Sequence, residues 1–254
     1  MTKIDRSLTQ DNIELLANLG YLDGVTYQRV FGSNPDMGTS GTAYDMIETS
    51  GDVYFLPSAQ VVHFSSTLIG DAGKEIFIEG LDANWVYQSE TVTLDATNPT
   101  TTTAPTLNTY IRINTICNNN STLTVGDIYV GDTTSVTVGV PNGNVLISFA
   151  VEHQLSKNGH YSVPIEHYGM ICHMYGNSGR GFEVEFDLIV REFGKVFRSL
   201  LHFAVYQSQG TLDLNYVRIP PKSDIKIRGT ADGNNAHAIG SLCILQIHEN
   251  KVNV

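Results

Sequence analysis

The sequence predicts an all-β protein, two packed β-sandwich or jelly-roll units behind a short N-terminal helix. Short runs rich in Thr, Val and Ile recur through most of the 254 residues. Turn signals part them at about the 8–12-residue spacing of sandwiches and barrels. Two segments, 74–94 and 184–200, share one rhythm: alternating apolar and polar residues, a Gly-bearing turn, then alternation again. That is the pattern of two half-buried antiparallel strands. Only the N-terminal stretch has a helical period.

Residues 1–24 form the helical arm. Ile13, Leu15, Leu16 and Leu19 cluster on one face, Gly20 can supply a left-handed stop, and Ser7, Thr9 or Asp11 can cap the start. Ile13, Leu16 and Leu19 are its contact residues, either docked on a neighbouring subunit or closing one end of their own sandwich. The first β unit is assigned to 25–155. A Gly/Ser/Asn/Pro-rich stretch, Gly32 to Gly41, reads as a long loop. Strands are expected near 53–56, 61–64, 74–79, 85–94, 109–117, 123–130, 134–140 and 144–151. Asn142-Gly143 reads as a two-residue hairpin turn, because both central positions need positive φ. The Thr-rich run 97–106 contains Pro99 and Pro105, which cannot donate to a central ladder, so it reads as a loop or an edge.

The second β unit is assigned to 156–254, opening at the turn signal Lys157-Asn-Gly159. Its strands are expected near 160–165, 168–175, 182–191, 195–206, 214–218, 223–230 and 239–248. A turn rather than a long linker at the boundary predicts that the units pack rigidly.

Fifteen basic against 26 acidic residues give a formal charge of −11, which opposes a phosphate backbone and argues against direct nucleic-acid binding. No apolar run approaches the roughly 18 residues of a membrane span, and no charged-then-apolar leader is present, so synthesis in a cytoplasm is expected. Charged residues make up only 16% of the chain, leaving a largely neutral polar surface. Cys117, Cys172 and Cys243 show no paired spacing and read as buried strand thiols.

Candidate chemistry is sparse. His153, His160, His167, His173 and Cys172 are close in sequence, but their spacing matches no metal-ligand pattern, so they read as turn or subunit-contact residues and no metal or cofactor is assigned. Glu183, Glu185 and Asp187 alternate with Phe182, Val184, Phe186 and Leu188, the arrangement of a solvated strand face rather than a carboxylate pair for glycoside hydrolysis. Asn177-Ser-Gly-Arg-Gly181 lacks a following helix and reads as a turn. No catalytic set is assigned. Trp85 and Tyr87 are placed on one strand face, as core or interface residues or as a stacking platform for a sugar ring. Arg191, Lys195, Arg198, Lys222, Lys226 and Arg228 gather in the second unit. They read as a solvated face or as a docking patch for an acidic neighbour.

The segment Ile76 to Trp85, followed by Ser89 to Leu94, the Thr-rich loop and Tyr110 to Ile116, resembles virion structural proteins of tailed bacteriophages from aquatic environments. Val190 to Arg198 and Ile219 to Arg228 resemble the closing strands of that group, so the resemblance covers residues 74–230. It implies a non-enzymatic component of the head surface, neck or tail, residing in the virion and made in a host cytoplasm. Its implied partners are copies of itself and other virion proteins. A receptor- or host-glycan-binding tail module, using Trp85 and Tyr87, is the alternative. A polysaccharide depolymerase is the weakest of the three.

Overall fold

Strand alternation resolves into two antiparallel sandwiches, seen in a computed structural model that describes residues 10–37, 44–45, 52–151, 153–179, 181–206, 209–233 and 236–251. The proposed caps Ser7 and Thr9 and the loop residues 38–41 lie outside the described residues.

In the first sandwich one sheet runs β11 (Val145–Phe149), β8 (Ile128–Gly131), β3 (His63–Ser66), β6 (Ala104–Pro105). The facing sheet runs β5 (Tyr87–Thr93), β4 (Glu75–Leu81), β7 (Arg112–Asn118). Between them lie Phe64, Ile76, Ile78, Tyr110, Ile116, Val130 and Phe149, all fully buried. Along β4 the apolar residues Ile76 and Ile78 point inward while Glu75 is exposed, as the alternation predicts. Pro105 falls on the edge strand β6, where its missing N–H costs no ladder bond.

The hairpin β9 (Val136–Thr137) and β10 (Val140–Pro141) corrects the turn assignment. Val138 (φ 51) and Gly139 (φ 77) form its tip, not Asn142-Gly143. A Cβ on Gly139 would stand 2.0 Å from the Ser66 carbonyl oxygen, so only glycine lets this tip press against the end of β3. Asn142 instead braces the hairpin, accepting from Thr137 Oγ1 at 2.9 Å and donating to Ser135 Oγ at 2.7 Å.

The second sandwich pairs a sheet of β1 (Val25–Met37), β18 (Ala236–His248), β13 (His167–Ser178), β16 (Gln209–Ile219) with a sheet of β12 (His160–Ser162), β17 (Ser223–Ala231), β14 (Glu183–Glu192), β15 (Arg198–Tyr206). The short β2 (Tyr44–Asp45) also pairs with β17. β1 comes from the stretch expected to open the first unit, yet it pairs along its length with β18 and contributes Val30 and Met37 to the second core. Residues 32–37, read as part of a loop, are the end of this strand, with a register shift between Asn34 and Met37. Gly176 and Gly240 face each other there. Cβ atoms on them would stand 2.8 Å from Phe186 and 2.9 Å from Ile227, so their lack of side chains admits the Phe186 ring, stacked on Phe203 at 5.5 Å.

The helix α1 (Gln10–Asn18) lies on the outer face of the β1-containing sheet. Ala17 and Ile13 pack on Cys172, Cys243 and Leu245.

Candidate functional site

Strands β7 and β12 bring the two sandwiches together. Asn114 imitates a strand partner, donating to the Ser162 carbonyl at 3.1 Å and accepting from its N–H at 2.9 Å. His160 bonds the Ile113 carbonyl through Nε2 at 2.8 Å, and Ile165 N donates to the Trp85 carbonyl at 2.9 Å.

At the centre of this seam Asp224 of β17, 2% exposed, meets Arg112 of β7, 7% exposed. Arg112 donates from Nε at 2.6 Å and from Nη2 at 3.0 Å to the two carboxylate oxygens, the bidentate fork that suits a guanidinium. Its remaining nitrogen, Nη1, donates to the Leu56 and Ile111 carbonyls at 2.8 and 2.7 Å. Arg191 of β14 donates to Asp224 Oδ2 from Nε at 3.1 Å and Nη2 at 2.5 Å, and Ser162 Oγ donates to Oδ1 at 2.7 Å.

Aromatic rings close over the cations. Phe55 lies 5.0 Å from both guanidinium carbons, Trp85 4.8 Å from that of Arg112, and Phe197 4.5 Å from that of Arg191. Lys226 is buried beside the same Phe55 and Phe197 rings, its Nζ 3.4 Å from the Val53 carbonyl. Such cation–π contacts strengthen as water is excluded. The seam is a joint in which one carboxylate has both oxygens taken up by donors of the chain, two guanidinium groups among them.

A groove of about 180 Å³ opens beside the joint, lined by Arg29, Glu79, Tyr87, Asn114, Ser156 and His160 among others. That is below the roughly 300–1,000 Å³ of small-molecule sites. Tyr87, 49% exposed, donates its hydroxyl to Glu79, and burial together with that bond pushes its pKa up.

The sugar platform is not assembled. Trp85 is 2% exposed, sits at φ 66 in a turn wound round the Asp82 carboxylate, and gives its ring to Arg112 and Phe193. A ring this deeply buried cannot stack on a saccharide. The basic group divides as well. Arg191 and Lys226 are engaged in the joint, Lys195 and Arg198 are exposed, and Arg228 is half-buried opposite Asp187. The four histidines scatter: His153 is exposed, His160 lies in the joint, His167 packs on His248 at 5.1 Å, and His173 lies under α1. Glu183 and Glu185 are exposed and Asp187 half-buried, with Val184, Phe186 and Leu188 buried opposite, a solvated face.

On α1, Ile13 and Leu16 are half-buried and Leu15 is exposed, as are Leu19 and Tyr21 just past its end. The larger apolar exposure was not anticipated. At one end of the first sandwich, three loops carry Leu68, Ile69, Leu123, Val125 and Val138, each at least half exposed. The fully buried Asp71 holds two of these loops together, accepting from Ser66 Oγ at 2.6 Å, Val125 N at 2.7 Å and Gly126 N at 2.9 Å. The hairpin tip joins them through Ser65 Oγ, which donates to the Gly139 carbonyl at 2.7 Å. No periodicity marks these residues, because they sit in loops, a hairpin tip and the 3₁₀ turn Ile69–Asp71.

No family model matches the chain. No curated protein matches it either. Among solved structures it is similar to T=1 particles derived from infectious bursal virus, at 9% identity and a TM-score of 0.24 over 90% of this chain and 71% of the other. It is also similar to the Gt strain of infectious bursal disease virus, at 8% identity and 0.23 over 91% and 74%. A third is the VP2 subviral particle of that virus, at 12% identity and 0.22 over 91% and 74%. Likenesses of this degree carry no inference about role.

Proposed function

We propose that this chain is a non-enzymatic structural subunit of a viral particle, working through rigid interfaces with copies of itself and with other virion proteins. The observation that carries the reading is the apolar end of the first sandwich. Exposed aliphatic side chains on loops fixed by a buried carboxylate are a preformed contact surface, since they lose little further entropy on association. The Asp224 joint complements that end by holding the two sandwiches in one orientation, which repeated assembly geometry requires. The exposed pair Lys195 and Arg198 offers a rim charge for an acidic neighbour.

The resemblance of residues 74–230 to tailed-phage virion proteins supports a place on the head surface, neck or tail, with synthesis in the host cytoplasm. Light scattering on the purified chain tests the reading. A closed multimer is expected, and Leu68→Asp combined with Val138→Asp should reduce its mass while the circular dichroism stays that of a β protein. Removing residues 1–24 should lower the assembled mass while the β body stays folded. A wild-type chain that stays monomeric at every concentration, alone and with its particle partners, overturns the proposal.

A further inference from the structure

Under α1, the outer face of the second sandwich holds side chains that the joint does not use. His173 on β13 stands opposite Cys243 on β18, beside a register shift between Ile171 and His173. From the helix above, Glu14 places Oε1 3.5 Å from His173 Nδ1. A Glu14 carboxylate oxygen, a His173 ring nitrogen and Cys243 Sγ all lie within 4.8 Å of one another. Tyr27 of β1 sets its hydroxyl 3.0 Å from the same sulfur. Cys243 is 2% exposed, and the Glu14 and His173 side chains are 15% and 29% exposed. The group is therefore sheltered yet reachable from solvent.

Sulfur, imidazole nitrogen and carboxylate oxygen together form a donor set that suits zinc. Bond lengths of about 2.0–2.3 Å to a tetrahedral ion put donors roughly 3.3–3.8 Å apart, which side-chain rotation can reach from the observed spacing. An ion pair between Glu14 and His173 would account for those two residues. It leaves unexplained why a buried thiol and a tyrosine hydroxyl converge on the same point.

We propose that Glu14, His173 and Cys243 bind a zinc-class divalent transition-metal ion, with water in the fourth position, and that the ion pins α1 to the sheet. The Cys243 thiol proton leaves to solvent as the metal–sulfur bond forms. Tyr27 is then a positioning residue, donating its hydroxyl hydrogen to the thiolate. The site joins one helix to two strands, so its occupancy sets how firmly the N-terminal arm is held.

The test uses the full chain, stripped with chelator and titrated with Co²⁺ as the spectroscopic probe. The expected result is one equivalent bound, with thiolate-to-cobalt charge-transfer absorption that Zn²⁺ displaces. Cys243→Ser should abolish that absorption, while Cys172→Ser and Cys117→Ser should retain it. Outer-shell losses weaken metal sites about 10–100-fold, so Tyr27→Phe should fall in that range and His173→Ala or Glu14→Gln should cost at least about 100-fold. Hydrogen exchange across residues 10–18 gives a second readout. It should slow with metal in the wild type and not in Glu14→Gln, a near-isosteric change on the helix that leaves the strand pairing untouched. Absence of saturable binding overturns the proposal. So does a thiolate band that survives Cys243→Ser or follows another cysteine, or exchange in α1 that ignores the metal.

Discussion

At the joint, the single carboxylate of Asp224 receives hydrogen bonds from Arg112, Arg191 and Ser162. Under α1, Glu14, His173 and Cys243 converge with a loose 3.5 Å contact and a thiol that burial pushes above its ordinary pKa. Both are sheltered polar groups that the second sandwich helps to build, and they differ in what completes them. Both oxygens of the Asp224 carboxylate are taken up by donors of this chain, so its hydrogen bonding is complete as folded. The thiol, imidazole and carboxylate are all potential donors to a cation, and their convergence leaves a place for one. Polar burial that is saturated by the protein reads as architecture, and polar burial that shares an unmet ligand preference reads as a site.

The comparison breaks most severely at Asp224. Asp224→Ala leaves two guanidinium groups without their anion and should cost about 3–5 kcal/mol, measured by urea unfolding, with the single transition splitting as the sandwiches uncouple. A smaller loss is expected from Arg191→Met, whose side chain is 27% exposed. Solvent already screens that pair, so about 1–2 kcal/mol is the expected range. Tyr27→Phe, in metal-free protein, removes one neutral hydrogen bond to sulfur and should cost about 1 kcal/mol or less. Should it cost as much as Asp224→Ala, the two clusters would be alike and the distinction would fall.

Acid should produce the smallest change, read through two histidines outside the joint. Burial lowers the pKa of His63, and burial with the neighbouring His248 charge lowers that of His167. Their folded values lie below the unfolded value of about 6.5, so the unfolded chain takes up protons first as pH falls. Stability from these residues is present above that value and is lost as pH drops through the folded pKa. Melting temperatures compared between about pH 7 and pH 5 should fall in the wild type and fall less in His167→Gln.

Much of this fold is legible from local pattern. Alternation places β4, β14 and β17 within a residue or two of their observed bounds, because each strand buries one face and the period of two records it. β1 escaped the same test. Its Gly32-Ser-Asn-Pro composition mimics a loop, yet Ser33 and Asn34 are buried. Partner choice has no local signal at all, so nothing near Val25 announces pairing with Ile247.

The joint was half visible, as a basic cluster containing Arg191 and Lys226. Register turns it inward: Arg191 and Ser162 both stand directly opposite Asp224 on neighbouring strands, and cross-strand neighbours decide which charges meet. Trp85 was misplaced for a related reason. The turn around Asp82 gives its backbone a positive φ, and alternation assumes extended backbone. The Glu14, His173 and Cys243 group unites three distant segments and could not be read from spacing.

The pairing of β1 with β18 orders the birth of the molecule. A ribosome delivers the whole of the first sandwich as one continuous stretch, so it can close early, whereas the 13-residue β1 waits for β18 before its edge is covered. During that wait β1 presents the same hydrogen-bonding edge to the β18 of any other copy nearby. Exchange of β1 between nascent chains would link two subunits through a ladder already encoded within each of them, with no new contact to evolve.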